Sequence, residues 1–205
     1  MTLMLVSSPC DVASAIAALQ ALGYTVTSGS TITTGTPTPP IVTPPNPALP
    51  VTGPGVIYAD GKMLWPGDWS GTGMTINYAD TTQVPGKTVA SMKPNTPWAY
   101  WLPYILHMAT APFKNLVIKL KPAMSGQRFS VAIYTSTGST TDIVVGGINP
   151  IPTSMESAPD ADGVVTFTIP LTALNAANID CYKIMVQDQS GLTGDIWSVE
   201  YAAFV

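Results

Sequence analysis

From residue 55 to the C-terminus the chain runs in short alternations of apolar and polar residues, broken by turn signals about every ten to fifteen positions. A period of two sends successive side chains to opposite faces of a sheet, so each run reads as a half-buried strand. The pattern predicts strands over 56–59, 74–78, 88–93, 99–107, 115–121, 128–134, 142–145, 164–169, 182–187 and 196–202. Gly-Lys, Pro-Gly-Lys, Ser-Gly-Gln, Asp-Gly and Ser-Gly motifs mark the turns between them. No helical periodicity interrupts the series, apart from one helical turn expected within 171–177. The fold class that follows is mainly β: an antiparallel sandwich or jelly roll.

The first 34 residues follow a different rule. The apolar run at 2–6 fits a buried strand. Ser8 as N-cap, Pro9 at the first helical position and Asp11 two residues later then signal a helix start. The helix is expected to reach Leu22 and stop at Gly23, and 24–27 reads as a second strand. Together these make a small βαβ unit with a right-handed crossover. Its larger helical side chains, Val12, Ile16, Leu19 and Leu22, form one narrow stripe flanked by alanines. A stripe that narrow cannot stabilise the unit alone. Either it packs on the larger domain of its own chain, or it docks on another subunit or self-associates, most simply as a trimer.

Between the two patterns lies a spacer at 35–54. Eight of the nineteen residues from Thr36 to Pro54 are proline, and none is charged or aromatic. Proline fixes φ and removes a backbone donor, so this stretch is expected to be extended polyproline II, at ~3.1 Å per residue. A semi-rigid linker disfavours folding back, which favours docking or self-association for the N-terminal unit. The predicted organisation is therefore an anchoring or oligomerisation segment at 1–34, a linker at 35–54 and a β-sandwich domain at 55–205.

Composition narrows the function. Charged residues are 10% of the chain, and eight Lys and Arg against twelve Asp and Glu leave a net charge of −4. With its basic residues scattered singly, the chain lacks the cluster that nucleic acid or an anionic membrane surface would require. No apolar run approaches the ~20 residues that span a bilayer. The N-terminus lacks the basic region and long apolar core of a secretion signal, so the chain is expected to reach its destination without one. Cys10 and Cys181 have no framework of other cysteines around them and are expected to be free thiols.

Catalysis would need a positioned acid, base or nucleophile. The one imidazole, His107, ends an apolar strand with no carboxylate or thiol at ligand spacing, and reads as structural or solvent-facing. Asp60 and Asp68 flank one turn and Asp160 and Asp162 another, as turn-forming carboxylates do. The chain is not expected to be an enzyme and no cofactor is implied. The aromatic residues carry more information: Trp65, Trp69, Trp98, Tyr100, Trp101 and Tyr104 fall within forty residues. Rings exposed on a sheet face would stack on sugar rings, whereas rings on the other face would fill the core. Alternation places Trp98, Tyr100 and Leu102 on one face and Ala99 and Trp101 on the other. Trp69, expected in a Gly/Asp/Ser turn, and Trp101 are the favoured glycan-stacking rings, followed by Trp65 and Tyr104.

Three segments carry a resemblance. VIYADGKMLWPGDWS at 56–70, PFKNLVIKLKPAMSGQRFSVAIYT at 112–135 and the run from 164 to 204 resemble the opening strand, central hairpin and last strands of galactose-binding-like β-jelly-roll modules. That is the fold of many carbohydrate-binding modules. The resemblance implies a jelly roll for 55–205 and a structural calcium ion linking the first and last strands, near Asp60, Asp195 and Glu200. DVASAIAALQALGYTV at 11–26 resembles the N-terminal anchors of phage head-fibre and capsid decoration proteins. Anchor, spacer and outward domain together predict a non-enzymatic virion accessory protein. It would attach to a capsid or other virion protein, sit on the particle surface and meet host-surface glycans. The alternative is a carbohydrate-binding module of a secreted or cell-surface, hence extracellular, protein.

Overall fold

A computed structural model of the chain describes residues 25–26, 32–33, 49, 52–64, 68–69, 73–136 and 142–205; the side chains at 25–26, 32–33, 68–69, 104, 106, 136 and 142 are outside that description. The strand expected at 2–6, the helix carrying Val12, Ile16, Leu19 and Leu22, Cys10 and most of the Pro-rich stretch lie outside the described residues. Within the unit 1–48, β1 (Thr25–Val26) falls in the strand expected at 24–27 and pairs antiparallel with β2 (Ile32–Thr33), which the hydrophobic pattern did not announce.

The second unit, Leu49–Val205, contains β3 (Val56–Ala59), β4 (Lys62–Met63), β5 (Asp68–Trp69), β6 (Met74–Asp80), β7 (Val89–Pro94), β8 (Tyr100–Ala109), β9 (Asn115–Lys121), β10 (Phe129–Ser136), β11 (Asp142–Ile148), β12 (Val165–Pro170), β13 (Asp180–Asp188) and β14 (Trp197–Phe204). Every expected strand in this unit is present, with ends moved by at most three residues. The short strands β4 and β5 were not foreseen. The helical turn expected within 171–177 is a succession of backbone turns, Pro170 to Ala173, Leu171 to Leu174 and Thr172 to Asn175; the one 3₁₀ turn described lies at Thr153–Met155.

A front sheet of five strands runs β11-β10-β13-β8-β5. A back sheet of seven strands runs β12-β9-β14-β3-β4, with β7 beside β14 and β6 beside β7. All pairings are antiparallel. From β7 onward the chain changes sheet at every connection except β10 to β11. That crossing pattern is a jelly-roll sandwich. Local sequence closes its first hairpin: Asp60 at φ 49° and Gly61 at φ 74° make the two-residue type I′ turn between Ala59 and Lys62.

The core lies between the sheets and follows the alternation. On β12 the buried residues are Val165, Phe167 and Ile169, facing Leu120, Ile118 and Leu116 of β9 across the ladder. On the front sheet Phe129, Val131 and Ile133 of β10 lie beside Val186 and Ile184 of β13. Each fully buried side chain of this size contributes about 1.5–3 kcal/mol. Aromatic contacts join the two layers. Trp101 of the front sheet stands edge-on to Tyr58 of the back sheet, with centroids 6.2 Å apart at 87°. Phe129 meets Trp197 at 5.2 Å and Phe167 at 6.1 Å. The Tyr58 hydroxyl donates to the Tyr78 carbonyl at 2.8 Å.

Packing on the domain begins before the boundary expected at 55. Leu49, within the stretch read as linker, packs with Val205 on a small cluster of Val56, Ala59, Val117, Tyr201 and Ala203. Gly55 follows at φ 93°, where a Cβ would run into the Phe204 carbonyl and the Phe113 ring. Only glycine fits there.

Cys181 is a free thiol buried in the core between the sheets, and burial pushes its pKa up to about 12. Thiolate is the reactive form, so at pH 8 the folded protein should resist alkylation at this site. In a Cys10→Ser background, iodoacetamide labelling of Cys181 should be negligible in buffer and complete in denaturant. Rapid labelling of the folded protein would contradict the packing described.

Candidate functional site

The bulky contacts of β8 determine what its outer side presents. Trp101 and Ile105 are wholly buried and Ala99 is 2% exposed, so that side of the strand faces the back sheet. Tyr100 therefore emerges on the outer face of the front sheet, and Trp98, in the turn that precedes β8, is exposed where Gln187 of that face reaches its carbonyl. Tyr100 and Trp101 part as alternation requires, but Leu102, expected beside Tyr100, is 5% exposed, Trp98 lies before the strand, and the choice of ring is corrected. Trp101, one of the two favoured stacking residues, is 0% exposed and cannot meet a ligand, while Trp98 is 54% exposed. The physical reason is the apolar company of Trp101, which shares its side with Ile105 and lies opposite Val186. Trp69 is not in a turn; it belongs to β5, where it pairs with Leu102. Trp65 and the side chains of Trp69 and Tyr104 lie outside the described residues.

Trp98 is held in an uncommon way. Its φ is 62°, a left-handed conformation that a bulky residue adopts only when its surroundings impose it. Gln187 of β13 donates from Nε2 to the Trp98 carbonyl at 2.7 Å. The indole ring lies against Gly191, whose added Cβ would sit 3.4 Å from Trp98 Cζ2. The loop bearing Gly191 is positioned at its start by Asp188, whose carboxylate accepts from the Ser190 amide at 2.8 Å and the Ser190 hydroxyl at 2.7 Å. At its end, the Gly194 amide donates to the Pro94 carbonyl at 2.8 Å.

Beside the ring runs a chain of neutral polar groups. Gln189 Nε2 donates to Gln187 Oε1 at 2.9 Å and to Ser130 Oγ at 2.8 Å. Both Gln189 amide hydrogens are thereby used, whereas Gln187 has one left over and Gln189 Oε1 is an open acceptor. An N–H donor and a C=O acceptor side by side match a pair of neighbouring hydroxyls, each able to donate and accept. Register places Tyr100 opposite Gln187, and Ser130 opposite Gln187 on the other side. Farther along β13, Met185 lies opposite Ala132 and Lys183 opposite Tyr134. Lys183 Nζ stands 4.7 Å from the Tyr134 ring centroid, and the Tyr134 hydroxyl donates to Met185 Sδ at 3.6 Å. That cation–π contact helps a lysine remain only 5% exposed.

At the other end of β13 the structure supplies a partner that sequence spacing could not reveal. His107 Nδ1 donates to Asp180 Oδ2 at 2.7 Å, with both side chains more than half exposed. The Tyr182 ring lies 5.9 Å from the imidazole. His107 is solvent-facing, as expected, but it has a carboxylate partner 73 positions away.

The other carboxylates behave as turn and ion-pair residues. Asp160 accepts from the amides of Asp162 and Val164, both at 2.9 Å, which closes the turn before β12. Of the residues expected near a structural calcium, Glu200 is paired with Lys87 at 2.8 Å, Asp60 occupies the β3–β4 turn, and Asp195 is exposed in the loop before β14. The hydrogen bond that Lys87 donates to Glu200 holds its ammonium above its usual pKa. Among the described residues no three His, Cys, Asp or Glu side chains are grouped so that they could share a metal ion, so these three carboxylates are not brought together.

Burial separates the two tryptophans energetically. Trp98→Ala should change unfolding free energy by no more than about 0.5 kcal/mol, as at an ordinary surface site. Trp101→Ala should cost about 3–5 kcal/mol. The loss is expected toward the lower end, because the buried Trp101 indole N–H has no hydrogen-bond partner to lose. Urea unfolding of the two variants checks this; equal losses would contradict the assignment of faces.

No family model matches the chain, and no curated protein matches it. Its solved structural neighbours include carbohydrate-binding modules. A family 29 module complexed with cellulohexaose aligns at 16% identity and a TM-score of 0.45, covering 73% of this chain and 87% of that one. A β-1,3-glucan-binding family 6 module from Bacillus halodurans aligns at 11% identity and 0.39, covering 67% and 89%. A family 6 module from a Cellvibrio mixtus lichenase, in complex with cellotriose, aligns at 13% and 0.37, covering 72% and 93%. At these values they are likenesses in strand layout, and the jelly-roll assignment rests on the sheet order itself.

Proposed function

We propose that the domain at 49–205 is a non-catalytic glycan-binding module that takes a neutral sugar chain on the outer face of its front sheet. The observation that carries this reading is the exposed Trp98 ring beside the Gln187–Gln189–Ser130 chain. Binding sites for uncharged polar ligands pair a flat apolar surface with a few fixed hydrogen-bonding groups, and this end of the face has both. The ring would cover the apolar face of a sugar while the spare amide N–H and C=O would meet adjacent hydroxyls. The polar groups in this arrangement are amides and a hydroxyl, with no charge of their own, which favours neutral over acidic glycans.

Of the two sequence readings, this is the one that set the protein among carbohydrate-binding modules. The virion reading, with its capsid partner and trimer, depends on residues 1–54, of which all but a few lie outside the described residues. The glycan reading is compatible with attachment through that segment and does not require it.

Affinity electrophoresis of the full chain through a panel of neutral and acidic polysaccharides tests the proposal. Retardation by at least one neutral polysaccharide is expected, and Trp98→Ala should abolish most of it without altering the circular dichroism spectrum. Gln187→Ala should weaken it as well, since it removes both a ligand donor and the hydrogen bond that holds Trp98. Migration unaffected by every polysaccharide in the panel would overturn the reading.

A further inference from the structure

We infer that the His107–Asp180–Tyr182 cluster is the far end of the same ligand face, a second polar subsite that engages the distal residues of a long neutral glycan. The inference rests on the glycan reading given above and adds the length of ligand that the face takes.

The cluster is on the outer side of the front sheet for a definite reason. Met108 of β8 and Cys181 of β13 are register partners, and both are buried in the core. Their neighbours His107 and Tyr182 therefore point away from it. The β13–β8 pairing slips between Cys181 and Lys183, and this bulge lets Tyr182 and Lys183 both leave the core side in succession. His107 accommodates the same irregularity at φ 66°, an uncommon conformation for histidine inside a strand. Like Trp98 at the opposite end, it is an exposed side chain on a constrained backbone.

Chemistry matches the position. An ionised carboxylate only accepts, so Asp180 accepts from His107 Nδ1 and orients the ring. Nε2 is then directed away from the pair, available to hydrogen-bond a ligand hydroxyl, which can both donate and accept. The main-chain carbonyl of Asp180 accepts from the Thr135 hydroxyl at 2.7 Å, which ties the cluster to β10. Tyr182 adds an aromatic ring beside His107, so this end repeats the combination of ring and fixed hydrogen-bonding group found at Trp98.

Tyr182 and Gln187 are five residue steps apart along β13, or about 17 Å of strand. A disaccharide at Trp98 would not cover that distance, whereas an extended oligosaccharide would. Along the way the face offers the partly exposed Met185 and Tyr134. The long glycan would thus be held at both ends, and the contribution of His107 would depend on ligand length.

Isothermal titration of the full chain with a ladder of oligosaccharides, from disaccharide to hexasaccharide, cut from the polysaccharide retained in the panel above, provides the test. His107→Asn is the variant of choice because asparagine tolerates positive φ and keeps a polar group near Asp180. It should weaken hexasaccharide binding roughly tenfold, the worth of one ligand hydrogen bond, with a loss that falls away as the ligand shortens. Asp180→Ala, which releases the imidazole from its orientation, should show the same length dependence. Trp98→Ala should weaken every length. A His107→Asn loss that is absent, or equal for all lengths, would overturn the inference and leave the glycan reading standing. If no polysaccharide is retained in the first place, both fall together.

Discussion

The edge-on contact between Trp101 and Tyr58 is the constraint on which the working surface depends. It joins the front sheet to the back sheet near the start of β8, and Phe129 against Trp197 and Phe167 repeats the arrangement farther along. A ring this large can be closed from water only by the opposite sheet, so Trp101 determines which side of β8 faces inward. Because side chains alternate, Tyr100 must then face outward, while Trp98, in the turn before the strand, is placed by its contacts with Gln187 and Gly191. A slip of one residue would exchange the two sets and send an indole out of the core.

Beside Trp98, the front face is built from hydrogen bonds between neutral groups. Gln187 connects the two levels of organisation. Its backbone belongs to the β13 ladder and its side chain holds the carbonyl of a residue in a left-handed conformation. Local strain of this kind costs of order 1–3 kcal/mol and persists where surrounding structure imposes it. Here the surroundings are Gln187 on one side and the Gly191 loop on the other. Preorganisation of this sort reduces the ordering cost of binding a flexible polar chain.

The strands of the sandwich were legible because alternation and turn chemistry are local properties of the chain. The short strands β4 and β5 were not, since two residues are too few to show a period. Alternation also separated Tyr100 from Trp101, but a period of two does not say which side is inside, and it does not reach Trp98 in the turn before the strand. The apolar neighbours of Trp101 carried that information: Ala99 and Ile105 share its side, and Tyr100 lies on the other. His107 and Asp180 could not have been paired from spacing, because strands adjacent in the sheet bring together residues far apart in sequence. Their pairing also depends on a bulge, and a bulge leaves no mark in the hydrophobic pattern. The boundary placed at 55 followed the end of the prolines, whereas packing follows the apolar side chain of Leu49.

The central claim, that the outer face of the front sheet is the ligand surface, is tested most directly by side-chain NMR during a titration with the retained neutral oligosaccharide. Indole N–H and glutamine amide resonances report individual residues. The account predicts progressive shifts for the Trp98 indole and the Gln187 and Gln189 amides, while the indoles of Trp101 and Trp197 stay in place in the core. Saturable binding that leaves the Trp98, Gln187 and Gln189 signals unmoved would contradict it.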